Sequence, residues 1–131
     1  MSISVVRYDT PEPRNIPTYF GAPFDDADAD IILRSSDLVD FRTHKIILAK
    51  SSPFFRAMLS LPQPTSEPLH DGLLVINMAE SRETLRYLLT ALTPGVPRAY
   101  STSFDALAPV LAAAQKFEMD SALADIRAHT L

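Results

Sequence analysis

Cysteine is absent from this sequence, and its three glycines, Gly21, Gly72 and Gly95, stand far apart. Without cysteine the fold uses neither disulfide bonds nor thiolate chemistry, as expected in the reducing cell interior, cytoplasmic or nuclear. Isolated glycines exclude a glycine-rich phosphate-binding loop. No apolar run approaches the roughly 18 residues that cross a membrane. We therefore expect an intracellular protein that does not associate with membranes.

The charge of the chain is modest and mixed in sign. Sixteen acidic and twelve basic residues give a net charge of -4. No lysine and arginine cluster interrupts this mixture, so a nucleic acid, which needs a basic surface, is not an expected partner. With 131 residues, of which 47% are hydrophobic, the chain suits one globular domain.

Prolines divide the chain into two parts. Four of them, between positions 11 and 23, block regular structure in residues 1–27. We expect this segment to be an extended or partly disordered arm, in which only residues 3–8 have the composition of a strand. Residues 28–131 are predicted to form the folded domain.

Two strands and a capped helix are predicted early in that domain. Residues 31–33 are apolar and predict a buried strand, and the alternation from Val39 to Thr43 predicts a half-buried strand that completes a hairpin. Ser52 can cap the next helix, with Pro53 at its first position. One face of this helix is apolar as far as Pro62: Phe54, Phe55, Met58 and Leu61.

The second half alternates loop, strand and helices. Residues 62–72 are rich in proline and predict a surface loop, and residues 73–78 predict a central strand buried on both faces. Ser81 can cap a helix that ends near Gly95. Apolar residues then recur at helical spacing from Phe104, with Pro109 inside the pattern. Asp120 opens a last short helix, which completes an α+β fold with a small sheet and a helical cluster.

Four sequence elements in a fixed order resemble the BTB/POZ family. They are an acid before a short strand at Asp30, the F-x-x-H-K pattern ending at Lys45, an I-L-A helix at residues 47–49, and S-x-F-F at residues 52–55. Residues 112–119 are similar to the A-A-x-K-Y-x-M stretch near the end of such domains. The resemblance covers about residues 28–131.

The BTB/POZ resemblance implies a module that binds proteins. We expect self-association, as in a homodimer, together with recruitment of a partner protein, and no cofactor or enzymatic activity. The alternative is a substrate adaptor of a cullin-type E3 ubiquitin ligase. An enzyme of unrecognised type stays a competing class, because a fold does not determine a function.

The sequence gives little support to metal binding or to catalysis. Asp26, Asp28 and Asp30, with Asp37 at the twelfth position, imitate a calcium loop but lack its glycine and its final glutamate. His44 is expected to bond backbone at a strand-to-helix junction rather than to act in catalysis. No metal site is therefore predicted.

The resemblance also suggests partner-binding residues. Asp37 and Lys45 match a charged pair found in the dimer groove of some members, although an ordinary turn aspartate and a solvated lysine explain them equally well. Cullin-binding members often carry a hydrophobic-any-glutamate motif, whereas this loop has Glu67 without the hydrophobe and Leu69 without the glutamate. Cullin binding is therefore expected to be weak.

A partner that binds near this loop is expected to use apolar anchors rather than rim charges. The candidate anchors are Met58, Leu59, Leu61 and Leu69, and Asp71 is a further candidate partner-binding residue. A domain-swapped dimer is doubtful because the amino-terminal arm is so rich in proline, which leaves a simpler dimer through a helix face.

Overall fold

The computed structural model describes residues 16–62, 69–95 and 104–128. Within these ranges five strands form one mixed sheet, and five helices share its core. The strands are β1 (Thr18–Tyr19), β2 (Ile31–Arg34), β3 (Val39–Thr43), β4 (Leu69–His70) and β5 (Leu73–Asn77). The helices are α1 (Lys45–Ser51), α2 (Pro53–Ser60), α3 (Arg82–Leu92), α4 (Phe104–Lys116) and α5 (Asp120–Ala128). None of these helices is long and apolar enough to cross a membrane.

The sheet has the order β1-β3-β2-β5-β4, and its centre matches the sequence prediction. β2 and β3 form the predicted antiparallel hairpin, while β2 pairs in parallel with β5. Ile31 and Leu33 of β2 belong to the core, and Leu74 of β5 lies beside Ile31. The α+β architecture is therefore confirmed.

Asp40 is an exception to the predicted alternation of β3. The sequence predicts that its side chain faces solvent, but the structure buries it. β3 lies between β1 and β2, and Arg34 stands opposite Asp40 in the β2 register. The Arg34 guanidinium donates to Asp40 through Nε at 2.7 Å and Nη2 at 3.0 Å. These two hydrogen bonds replace the hydrogen bonds to water that the Asp40 carboxylate loses when it is buried.

The segment before residue 28 contributes a strand. The prediction that only residues 3–8 could form a strand in the arm is wrong, since β1 pairs in parallel with β3 through backbone bonds. Phe24 is buried and its ring lies 5.6 Å from that of Phe41. Two residues of strand were too few for a periodicity to show. Residues 3–8 lie outside the described residues.

The end of the predicted 62–72 loop is a tight hairpin. β4 and β5 pair antiparallel through a two-residue turn in which Asp71 (φ 53°) and Gly72 (φ 79°) are both left-handed. This is the geometry that Asp-Gly favours in hairpins. Treating the whole segment as loop was therefore wrong for Leu69 and His70. Residues 63–68 lie outside the described residues.

Ser52 joins α1 to α2 and is fully buried. As predicted, its hydroxyl caps α2, accepting from the Phe55 amide at 3.1 Å. The same hydroxyl donates to the Phe117 carbonyl after α4, which fixes the helix pair against the turn between α4 and α5.

The predicted apolar face of α2 is only partly buried. Phe55 lies in the core, whereas Phe54 and Leu61 are exposed. The helix ends at Ser60, so Leu61 lies after it. One short helix can turn only part of such a broad apolar face toward the core.

The last three helices agree with the sequence pattern. Ser81 caps α3 by accepting from the Thr84 amide, and Leu85, Leu88 and Leu89 are buried. α4 begins at Phe104 and contains Pro109, which is exposed. The helix therefore tolerates proline on its solvent side.

Replacement of Ser52 by alanine is expected to destabilise the fold by about 2 kcal/mol, because the cap is lost and the Phe117 carbonyl loses its donor. Urea unfolding followed by circular dichroism measures this free energy. Ser60→Ala is the matched control, since Ser60 is exposed and bonds only within its own helix. A Ser52→Ala effect no larger than that of Ser60→Ala would contradict the assigned role.

Candidate interaction surface

Asp37 lies in the turn between β2 and β3 and anchors the start of α3. Its Oδ1 accepts from the Arg82 amide at 2.9 Å and from the Ser35 hydroxyl at 2.6 Å. Its Oδ2 accepts from Arg82 Nε at 2.8 Å. Burial alone would raise the pKa of Asp37, but the bonds from Arg82 and Ser35 outweigh it and lower the pKa from 3.8 to about 2.

The structure does not join Asp37 and Lys45 in an ion pair. Asp37 pairs with Arg82, a residue that the sequence analysis did not single out. The Lys45 side chain is exposed, and its backbone amide donates to Asp30 Oδ1 at 2.7 Å, which caps α1. Contact of Asp37 and Lys45 with a partner stays a prediction.

Large apolar side chains are exposed on two helices and on the edge strand. Ile46 on α1 is 62% exposed and Phe54 on α2 is 43% exposed. Leu61 after α2 is 63% exposed and Leu69 on β4 is 65% exposed. Single exposed apolar residues are ordinary, whereas several that are grouped in one patch are typical of a binding surface.

The other predicted anchors, Met58 and Leu59, are half-buried and pack against the core. Met58 also lines a pocket of about 250 Å³ together with Phe54, Ile76 and Phe117. The Phe54 and Phe117 ring centroids lie 5.3 Å apart. This pocket could accept one apolar side chain of a partner. Sequence periodicity pointed to α2 but not to Ile76 or Phe117.

Asp71 belongs to a cluster of side chains that links the two edges of the sheet. Arg42 Nη2 donates to Asp71 Oδ2 at 3.0 Å and to the Tyr19 hydroxyl at 3.3 Å, and the Tyr19 hydroxyl also donates to Asp71. The rings of Tyr19 and His70 lie 5.5 Å apart. The sheet is therefore curled enough for side chains from both of its edges to meet. The Tyr19 hydrogen bond is the main cause that lowers the pKa of Asp71.

The acidic residues that resemble a calcium-binding loop in sequence have separate structural roles. Asp30 caps α1 and Asp37 binds Arg82. His44 Nε2 lies 3.2 Å from Asp28 Oδ1, so the histidine contacts a carboxylate rather than the backbone that was expected. Ligand atoms of Asp26, Asp28 and His44 lie within 4.8 Å of one another, but both aspartates are exposed. Exposed carboxylates near a histidine are common without a metal.

Comparison with known proteins agrees with this architecture. The model of the BTB/POZ domain family matches residues 23–130. The BTB domain of zebrafish PATZ1 is 20% identical, with a TM-score of 0.55 over 76% of this chain and 72% of that chain. The BTB domain of human gigaxonin is also 20% identical, with a TM-score of 0.54 over 75% of this chain and 74% of that chain. A search of curated proteins finds no significant match.

The Asp37–Arg82 pair is expected to make stability depend on pH. Because the folded pKa of Asp37 is lowered to about 2, the pair stabilises the fold above pH 3.8, and its contribution is lost as the pH falls through about 2. Asp37→Asn should cost about 1 kcal/mol at pH 7, since the site is partly exposed to screening solvent. A double-mutant cycle with Arg82→Gln, measured by urea unfolding at pH 7 and pH 2, isolates the pair.

The coupling free energy should be largest at pH 7 and much smaller at pH 2, where about half of the folded molecules carry a protonated Asp37. Asp105→Asn, which removes an exposed acidic charge from the first turn of α4, controls for net charge. Equal coupling at both pH values would contradict the ion pair.

Proposed function

The chain belongs to the BTB/POZ domain family, whose members are protein–protein interaction modules, and we propose that it self-associates and recruits a second protein without catalysing a reaction. The observation that carries the proposal is the set of large apolar side chains exposed on α1, on and after α2, and on β4. Such side chains supply the apolar anchors on which protein interfaces depend.

Each of the two histidines in the described residues contacts an aspartate. His44 contacts Asp28, and His70 lies 3.7 Å from Asp71.

Self-association is assigned to the face of α1 that carries Lys45 and Ile46. Both side chains are exposed in the first turn of α1, so a partner that covers this turn can contact both. Recruitment of a second protein is assigned to side chains that lie on α2, just after it and on β4: Phe54, Met58, Leu61 and Leu69. The two activities should therefore respond to different substitutions.

Light scattering on a size-exclusion column should give twice the 14.5 kDa chain mass at micromolar concentration. Ile46→Ser should shift the protein toward monomer, because it removes an apolar anchor from the proposed face. Leu61→Ser is the matched control on the other surface and should leave the dimer intact. A clean monomer of the unaltered protein at high concentration would contradict self-association.

Binding to a cullin amino-terminal domain is expected to be weak or absent, because the loop before β4 lacks the hydrophobic-any-glutamate motif. Where isothermal titration detects binding, Leu69→Ala should weaken it by about 2 kcal/mol, whereas Glu67→Ala should have no effect. Nanomolar affinity, or dependence on Glu67, would favour the cullin-adaptor alternative over the proposal.

A further inference from the structure

Two neighbouring grooves meet at a ridge formed by Ala79, Glu80 and Lys116. The smaller groove is the apolar pocket beside Phe54. The larger one has a volume of about 430 Å³, within the range of ligand sites, and lies between the start of α3 and the side of α4.

Glu80 is an incompletely bonded carboxylate at this ridge. Its side chain is only 12% exposed, and its Oε2 accepts from Lys116 Nζ at 3.0 Å. Its Oε1 is buried and has no hydrogen-bond partner, a condition that only Thr43 Oγ1 shares among the buried side-chain atoms of the described ranges. A buried oxygen without a donor is costly, so Glu80 can gain from a second donor.

Lys116 donates to only one oxygen of Glu80, and it can leave when a stronger donor takes its place on the carboxylate. Its side chain is 51% exposed, and its ammonium group lies 5.0 Å from the centre of the Phe117 ring. When it leaves Glu80, the exposed ammonium keeps solvent and the Phe117 ring as alternative partners. A stronger donor could therefore displace it.

The larger groove suits a long side chain with an apolar stem. Small apolar side chains line it together with three hydroxyl-bearing residues. The apolar residues are Ala79, Pro109, Ala112 and Ala113, and the hydroxyl-bearing ones are Ser36, Ser81 and Thr84.

We propose that this groove binds an arginine side chain of a partner polypeptide, whose guanidinium replaces Lys116 on Glu80. A guanidinium presents two parallel N–H donors, so it can bond Oε1 and Oε2 of Glu80 together, whereas Lys116 bonds only Oε2. The aliphatic stem of the arginine would cover the alanines of the groove. The net charge of -4 favours a cationic partner.

This site is additional to the apolar surfaces assigned above. Its test does not involve Ile46, Leu61 or Leu69, so its failure would leave the proposed self-association and recruitment as they stand. The probe is the tripeptide acetyl-Ala-Arg-Ala-amide, titrated into the full chain and followed by the amide resonances of the protein.

The peptide should shift the amides of Ser36, Ala112 and Ala113 saturably in the millimolar range. Glu80→Gln, which keeps the shape of the side chain, should weaken binding at least tenfold. Lys116→Met should strengthen binding several-fold, because the competing ammonium is gone. A thermal melt of each variant verifies that it is folded.

Matched controls separate this site from general attraction of cations. Glu83→Gln removes an exposed acidic charge that pairs with Arg86 in the first turns of α3, and it should leave binding unchanged. The citrulline analogue keeps the length of the probe without its charge and should bind at least tenfold more weakly. Equal binding of the citrulline peptide, equal weakening by Glu83→Gln, or loss of binding in Lys116→Met would overturn the proposal.

Discussion

The interaction surface depends on one buried hydroxyl group, that of Ser52. Every polar group of this residue is bonded: its amide donates to the Leu48 carbonyl, its carbonyl accepts from the Arg56 amide, and its hydroxyl bonds the Phe55 amide and the Phe117 carbonyl. These bonds hold α1 and α2 against the turn after α4. Because Phe117 adjoins Lys116, the same residue fixes the distance between the apolar pocket on α2 and the ridge at Glu80.

Features with a local cause could be predicted from the sequence. The hairpin of β2 and β3, the caps at Ser52 and Ser81, and the buried leucines of α3 all follow from patterns within a few residues. Leu69, which the sequence placed in a surface segment, is exposed. In each case neighbouring residues along the chain decide the outcome, which is what periodicity and capping rules describe.

Features that depend on distant residues could not be predicted. β1 and β4 have two residues each and exist because longer strands offer them partners. The carboxylate of Asp37 binds Arg82, which is 45 positions away, and Asp40 is buried because β3 lies inside the sheet. Glu80 looks like an ordinary surface acid until α4 packs beside it. Only the tertiary structure shows that one of its oxygens is buried.

The parallel pairing of β2 with β5 has a consequence for the order of folding. The paired residues lie about forty positions apart, and α1 and α2 occupy the intervening chain. The hairpins β2–β3 and β4–β5 close short loops and can form early. The pairing of β2 with β5 can form only after the long segment that connects them has become compact. The rate-limiting step should therefore be the docking of the two hairpins. The helix pair that carries most of the proposed partner-binding residues would be ordered in that same step.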